Sequence, residues 1–132
     1  IVDILPHEKY GFLPRRFVFQ PMLDGEKLRR YLIARGAYLE RDYTFESDGK
    51  PYDCIVGRRR GENEKAQDYT RGEYAFGYEN MREKSAAFLG RLKEKLARAE
   101  KYLGGENLSD VSRGELCARR DFLRGVITGE ID

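Results

Sequence analysis

The sequence predicts an α/β unit followed by an α-helical unit, and three patterns support this fold class. Residues 15–22 form a short β-branched and aromatic run that ends in a proline segment, which is typical of a buried strand. Residues 37–56 contain two strand-like segments joined by turn residues. Residues 89–103 carry apolar side chains at helical spacing, so the chain changes from sheet to helix along its length.

The first strand and the helix after it are predicted from residues 15–36. The apolar run in residues 15–22 favours a central strand of a parallel sheet. Apolar residues then recur at helical spacing after Asp24, a plausible N-cap, and Gly36 is expected to end the helix. We therefore expect an amphipathic helix of about three turns.

A β-hairpin is predicted next. Leu39, Tyr43 and Phe45 alternate with polar residues such as Asp42, which predicts a strand with one exposed face. Residues 47–50 supply turn chemistry, and residues 52–56 return as a more uniformly apolar strand.

The helical part follows a polar segment without a sustained period. We divide the chain into an α/β portion at residues 1–60, a connector at 61–81 and a helical hairpin at 82–132. The first long helix has an a/d seam that predicts coiled-coil packing: Leu89, Leu92, Leu96, Ala99 and Leu103. Gly104 and Gly105 are expected to end it, and Ser112 with Glu115 has the spacing of a capping box for the next, antiparallel helix.

Composition excludes several classes of protein and site. No apolar run approaches the roughly 20 residues of a bilayer crossing, so no membrane is expected. Cys54 and Cys117 have no CxxC partner, which argues against a disulfide framework and a zinc site and favours a reducing cytoplasm. His7 is the single histidine, so neither a serine triad nor a histidine metal site is expected. The patterns reveal no complete active site, and the catalytic residues stay unknown.

Three groups of polar residues are candidates for binding. Gln20 and Pro21 end the first strand, where α/β folds bind ligands, although such a glutamine can also anchor a loop. Arg58, Arg59 and Arg60 could contact phosphate or form a solvated rim. From Arg82 to Leu103 there are seven basic and three acidic residues. We expect the basic side chains there to contact an RNA backbone, with Arg91, Lys95 and Arg98 as candidates, whereas a solvated helix face is the alternative.

Three stretches in the order strand, helix and hairpin carry a resemblance to a known enzyme family: Arg16–Met22, Glu26–Leu32 and Asp48–Val56. The chain resembles the bacterial tRNA adenine-22 N1-methyltransferases, in which a strand ends in Leu-Gln-Pro and a hairpin closes with a Lys-x-Tyr-Glu-Ile-Ile-Val-like strand. In this chain Asp53 stands in place of the glutamate of that strand, and Cys54 stands in place of its first isoleucine. The resemblance covers residues 1–103 and is loose after Gly105.

The resemblance implies the terminal portion of a Rossmann-like methyltransferase sheet, in which the last hairpin strand runs antiparallel between its neighbours. It also implies S-adenosylmethionine as the cofactor of the full-length protein and tRNA as its partner. By this resemblance the glycine motifs that bind the cofactor would precede Ile1. We therefore expect this chain alone to bind no cofactor. The alternatives are a non-catalytic RNA-binding or protein-interaction module and a structural remnant, and helix-mediated self-association is possible with either.

Overall fold

A computed structural model of the chain describes residues 14–22 and 25–132. The chain divides into two compact units, with the boundary between Glu83 and Lys84. This boundary lies two residues beyond the predicted connector. Much of that connector is helical and belongs to the first unit, because Thr70 and Glu73 form a capping box that starts a helix there.

The first unit combines one three-stranded sheet with three helices. Strand β3 lies between β1 and β2 and is antiparallel to both, as the resemblance implies. In chain order the elements are β1 (Arg16–Phe19), α1 (Gly25–Ala34), β2 (Ala37–Ser47), β3 (Lys50–Arg59), α2 (Arg71–Phe76) and α3 (Tyr78–Glu83).

Strand β1 differs from its prediction. In the described residues β3 is its neighbour, so the parallel sheet expected around β1 is not formed within this part of the chain. The β1 side chains alternate, with Phe17 buried and Val18 64% exposed. The three-residue apolar run Phe17–Phe19 shows that a strand is present but not which strands pair with it.

The hairpin turn follows the sequence prediction. Strand β2 ends at Ser47 and β3 begins at Lys50, which leaves Asp48 and Gly49 as a two-residue turn. Both have positive φ angles, 52° and 75°, as a type I′ turn requires.

A β-bulge near the start of β2 corrects the predicted pattern of exposure. The register with β3 shifts between Leu39 and Arg41. One extra residue moves every later side chain to the other face, so Asp42 is fully buried rather than exposed.

The core of the first unit lies between α1 and one face of the sheet. Helix α1 supplies Leu28, Leu32 and Ile33, and Gly36 ends it with a φ of 90°. The sheet and the segment before α2 contribute Phe17, Ala37, Leu39, Ile55 and Tyr69.

The second unit consists of two helices, α4 (Ala86–Leu103) and α5 (Asp110–Thr128). Arg113 in the first turn of α5 donates to the carbonyls of Leu103 and Gly105, and Lys84 before α4 donates to the carbonyl of Val126. The start of each helix therefore meets the end of the other, and the two helices are antiparallel.

The ends of α4 and α5 show which sequence signals were sufficient. Gly104 caps α4 as expected. Ser109 is the N-cap of α5 rather than Ser112, which lies one turn inside and donates its backbone N–H to the Ser109 hydroxyl. Only Ser112 has a glutamate at the capping-box spacing, but Ser109 comes first after the loop and its hydroxyl caps the helix.

The predicted a/d seam of α4 is only partly its packed face. Leu92 and Ala99 are buried, while Leu89, Leu96 and Leu103 are half-buried. Phe88, outside the predicted seam, is buried as well. Coiled-coil packing of the hairpin stays a prediction.

Candidate functional site

The carboxyl end of β1 carries the first candidate residues. Gln20 is exposed and Pro21 half-buried, and both follow Phe19, which pairs with Ile55 of β3. Going back along β3 from Ile55 gives Cys54 and Asp53, so these two residues lie toward the same end of the sheet as Gln20. The two residues that the sequence analysis selected, Gln20 and Pro21, thus lie at one end of the sheet, and Gln20 is accessible there.

Toward this end of the sheet lies a polar cluster of three residues: Thr44 on β2, Asp53 on β3 and Asn80 on α3. The Thr44 hydroxyl donates to Asp53 Oδ1 at 2.7 Å, and Asn80 Nδ2 donates to the Thr44 hydroxyl oxygen at 2.8 Å. The Asp53 side chain is 33% exposed, so this carboxylate is in contact with solvent. We call these three residues the Thr44 cluster.

Beneath this cluster lies a fully buried ion pair that the sequence patterns did not reveal. Arg29 Nε is 2.9 Å from Asp42 Oδ2 and 3.0 Å from Oδ1, with both side chains 0% exposed. Arg29 also donates to Asp53 Oδ2 at 3.4 Å. Its Nη1 donates to the carbonyls of Tyr74 and Ala75 near the end of α2. One guanidinium thus connects α1, both hairpin strands and α2.

The side chain and the backbone of Asp42 each have a further partner that fixes its position. The Tyr69 hydroxyl donates to Asp42 Oδ2 at 3.0 Å, and the Asp42 backbone N–H donates to Glu79 Oε2 at 2.8 Å. Burial raises the pKa of the Asp42 carboxyl above its usual value, and Arg29 and Tyr69 oppose that rise. Burial and then Asp42 raise the pKa of the Tyr69 hydroxyl, which therefore remains a hydrogen-bond donor.

Gly77, between α2 and α3, makes room for this arrangement. Its φ is 90°, and a Cβ at this position would lie 2.7 Å from Asp42 Oδ1. Arg41 and Glu79 add an ion pair of 2.9 Å between β2 and α3, which lowers the pKa of Glu79. Together these contacts hold α2 and α3 against the hairpin and place Asn80 in the Thr44 cluster.

The basic residues at the end of β3 are not equivalent. Arg58 binds both carboxylate oxygens of Glu64 at 2.8 Å, lies 3.6 Å from Glu40 and covers the ring of Tyr38. Its guanidinium therefore fixes the chain after β3. Arg59 is exposed and Arg60 half-exposed. Phosphate contact by these three arginines stays a prediction, and Arg59 is the exposed one among them.

The basic residues predicted to contact RNA share one side of α4. Arg91, Lys95 and Arg98 follow one another at spacings of four and three, which places them on adjacent turns of the same face. Lys95 and Arg98 are exposed, and Arg91 is half-exposed. The helix thus presents a row of positive side chains beside its packed face, and their contact with RNA stays a prediction.

The described residues do not form a site for S-adenosylmethionine. Class I folds hold this donor against a glycine-rich turn between a parallel strand and a helix. The three strands here are all antiparallel, and within residues 14–22 and 25–132 there is no such turn. The same residues hold no group of three potential metal ligands. No helix among them is long and apolar enough to cross a membrane.

Most of the chain matches one known protein family. The family described as tRNA (adenine(22)-N(1))-methyltransferase matches residues 1–121. That range contains the Gln20 strand, the Thr44 cluster, the buried ion pair and the basic face of α4. No curated protein matches the chain in sequence.

Solved structures share the fold at low identity. The B. subtilis m1A22 tRNA methyltransferase TrmK is 21% identical with a TM-score of 0.74, over 96% of this chain and 57% of that one. M. capricolum TrmK, solved with S-adenosyl-homocysteine, is 16% identical with a TM-score of 0.74, over 86% and 49%. A protein of the NADB-Rossmann superfamily from Streptococcus agalactiae is 18% identical with a TM-score of 0.78, over 96% and 54%. The chain thus spans about half the length of each.

Proposed function

Because this chain belongs to the tRNA (adenine(22)-N(1))-methyltransferase family, we propose that it is the C-terminal portion of a tRNA methyltransferase. The complete enzyme transfers a methyl group from S-adenosylmethionine to N1 of an adenine in tRNA. The observation that carries the proposal is the family match over residues 1–121. The antiparallel sheet order β1-β3-β2 agrees with it, since a Rossmann-like methyltransferase sheet ends in such a hairpin.

Gln20 and Pro21 form part of the acceptor side of the pocket in this proposal. A glutamine amide offers an acceptor oxygen and a donor NH2 group, which match the N6 amine and N7 of adenine and leave N1 free to accept the methyl group. Gln20 is exposed at the strand end, and Pro21 turns the chain away from the sheet. The Thr44 cluster lies toward the same end of the sheet and offers the solvent-accessible carboxylate of Asp53.

The donor side of the pocket lies outside the described residues. They include no glycine-rich turn after a parallel strand, and donor binding needs one. We therefore expect the 132-residue chain alone not to bind S-adenosylmethionine. Isothermal calorimetry tests this, and micromolar binding would contradict the assignment of residues 1–60 to the last part of the sheet.

The helical unit is the proposed RNA-binding part. The row of Arg91, Lys95 and Arg98 has the charge and spacing for successive phosphates. The same surface also suits the alternative function, a non-catalytic RNA-binding or protein-interaction module. Helix-mediated self-association is a separate proposal, which sedimentation of the chain at several concentrations would test.

Methylation by the complete protein is the test of the proposed function. We expect N1-methyladenine to form in tRNA, as detected by mass spectrometry of the digested product. Gln20→Ala should lower the rate while thermal unfolding is unchanged, and Lys50→Ala, at an exposed turn residue, should leave the rate intact. An unchanged rate for Gln20→Ala at saturating and subsaturating tRNA would show that Gln20 is structural. Absence of methylation would favour the binding module.

A further inference from the structure

A groove of about 580 Å³ lies in the second unit, between the end of α4 and the first turns of α5. Its volume is within the range of small-molecule sites. The groove is lined by two half-buried leucines and four polar residues: Leu108 and Leu116, with Tyr102, Ser112, Glu115 and Arg119.

Three side chains of the groove have unused binding capacity. Tyr102 is 60% exposed, and Glu115 and Arg119 are exposed as well. Within the described part of the chain, these three side chains form no hydrogen bond or ion pair with another residue. This contrasts with nearby Arg113 and Arg124, which bind backbone carbonyls and Glu100. The groove therefore offers an aromatic face, a carboxylate and a guanidinium together.

Glu115 and Arg119 are one helical turn apart on α5, so their heads can reach neighbouring atoms of one flat ligand. The same side of α5 continues to the buried residues Leu123 and Val126. Exposed polar residues thus flank the half-buried Leu116 where α5 lines the groove. Packing of the two helices alone does not require a charged pair at this place.

We propose that this groove binds an unpaired guanine base of an RNA ligand, a role that rests on the RNA-binding function proposed above. Tyr102 stacks on the base, as aromatic side chains do with unstacked nucleotides. The Glu115 carboxylate accepts from the guanine N1–H and N2 amine, and Arg119 donates to the adjacent O6 and N7. The row of basic residues on α4 supplies phosphate contacts beside the groove.

The Glu115 carboxylate is the group that selects guanine over the other bases. Guanine presents two neighbouring donors, which match the two oxygens of Glu115. Adenine has a bare acceptor at N1, which would face the carboxylate and repel it. Cytosine and uracil each lack the second donor and the larger stacking surface. A preference for guanine is therefore the property that separates this site from general attraction to phosphate.

The preference can be measured with the 132-residue chain and labelled oligouridines that carry one central guanine, inosine or adenine. Fluorescence anisotropy at neutral pH should show binding of the guanine oligonucleotide on the order of tenfold tighter than the adenine one. Inosine lacks the N2 amine and should fall between them. Equal affinities for guanine and adenine would overturn the proposal, as would the absence of RNA binding.

Two variants separate base recognition from charge. Glu115→Gln should abolish the preference, whereas Glu106→Gln removes the same charge from the exposed loop between the helices and should retain it. Tyr102→Leu should weaken binding of every oligonucleotide on the order of tenfold, and Tyr102→Phe should not, because the ring is kept. If Glu115→Gln behaves like Glu106→Gln, the groove does not read guanine.

The result is independent of catalysis. Methylation by the complete protein together with equal binding of guanine and adenine would leave the proposed function intact and remove this inference. A guanine preference without methylation would retain the groove as a base-binding site and remove the proposed enzyme activity.

Discussion

Arg29 on α1 and Asp42 on β2 form a fully buried ion pair with both Asp42 oxygens within 3.0 Å of the Arg29 Nε. The guanidinium uses its remaining nitrogens on Asp53 and on two carbonyls of α2. A charge in the interior is tolerated only when its partners satisfy it. Since Asp42 also accepts from Tyr69, the pair fixes the segment around α2 on the hairpin and so positions the Thr44 cluster.

Replacing Arg29 should destabilise the first unit strongly. Arg29→Met leaves the Asp42 carboxylate buried without its cation, and removal of one partner of a buried pair costs about 3–5 kcal/mol. Urea unfolding followed by tyrosine fluorescence reports this unit, because eight of the nine tyrosines precede Lys84. The loss should be smaller at acid pH, where the unpaired carboxyl becomes protonated.

Arg30→Met is the matched control on the same helix. Arg30 binds Glu26 at the surface, where both side chains are about half exposed, and it also covers the ring of Tyr74 at 4.3 Å. Exposed contacts of either kind are worth up to about 1 kcal/mol each, so the loss should stay below that of the buried pair. Equal losses of stability in the two variants would show that the buried pair is not what holds α2 to the hairpin.

A bulge in β2 explains why sequence patterns did not predict the ion pair between Arg29 and Asp42. Strict alternation from Leu39 onward places Asp42 on the exposed face, and the bulge after Leu39 reverses that assignment. Arg29 follows Leu28 in the predicted amphipathic helix, but a charged residue in such a helix is normally expected on its exposed face. The bulge depends on pairing between strands, which no local period encodes.

Gly77 and Gly36 provide a test of the space that Asp42 needs. Both have a φ of 90°, so alanine is strained at either position. Nothing lies within 4 Å of a Cβ at Gly36, while at Gly77 it would meet Asp42. We expect Gly36→Ala to cost about 1–2 kcal/mol and Gly77→Ala clearly more. Similar unfolding free energies for the two variants would rule out a steric role for Gly77.

The ion pair of Glu64 with Arg58 should make the fold less stable in acid. Its hydrogen bonds from Arg58 and from the Gly61 backbone lower the pKa of Glu64 to about 2 from 4.5. A carboxyl with a lowered pKa stabilises the fold above its unfolded pKa, and this stabilisation is lost as the pH falls from about 4.5 to 2.

The Glu64→Gln variant measures that contribution. Its melting temperature should fall less steeply than that of the parent between pH 4.5 and 2.5. Glu62→Gln, at an exposed position nearby, should follow the parent curve. Identical pH profiles for all three proteins would contradict the assigned ion pair.

The elements with local signals were predicted well, and the shortest helices were not. Two such elements are the hairpin turn at Asp48 and Gly49 and the end of α4 at Gly104. Both depend on glycine and turn residues, which can be recognised in the sequence itself. Helices α2 and α3 have six residues each, too few to display a period. Thr70 and Glu73 have the capping-box spacing that could have indicated α2.

The basic face of α4 is tested by the salt dependence of tRNA binding. Arg91, Lys95 and Arg98 should each bind one phosphate, and removing one such interaction reduces the slope of log affinity against log salt by roughly 0.7–0.9. Replacing all three by glutamine should weaken tRNA binding and reduce the slope by about two to three units. Helix α4 should remain folded, because glutamine is a good helix former and the buried Phe88, Leu92 and Ala99 are unchanged.

The control for this variant removes the same charge elsewhere. Arg16, Lys50 and Lys65 are exposed in the first unit, and their replacement by glutamine lowers the net charge by three without touching α4. General attraction to a polyanion would reduce the slope equally in the two triple variants. A specific interaction reduces it mainly in the α4 variant. If that variant keeps the parental affinity and slope, the positive charge of the hairpin is incidental and its role is packing or assembly.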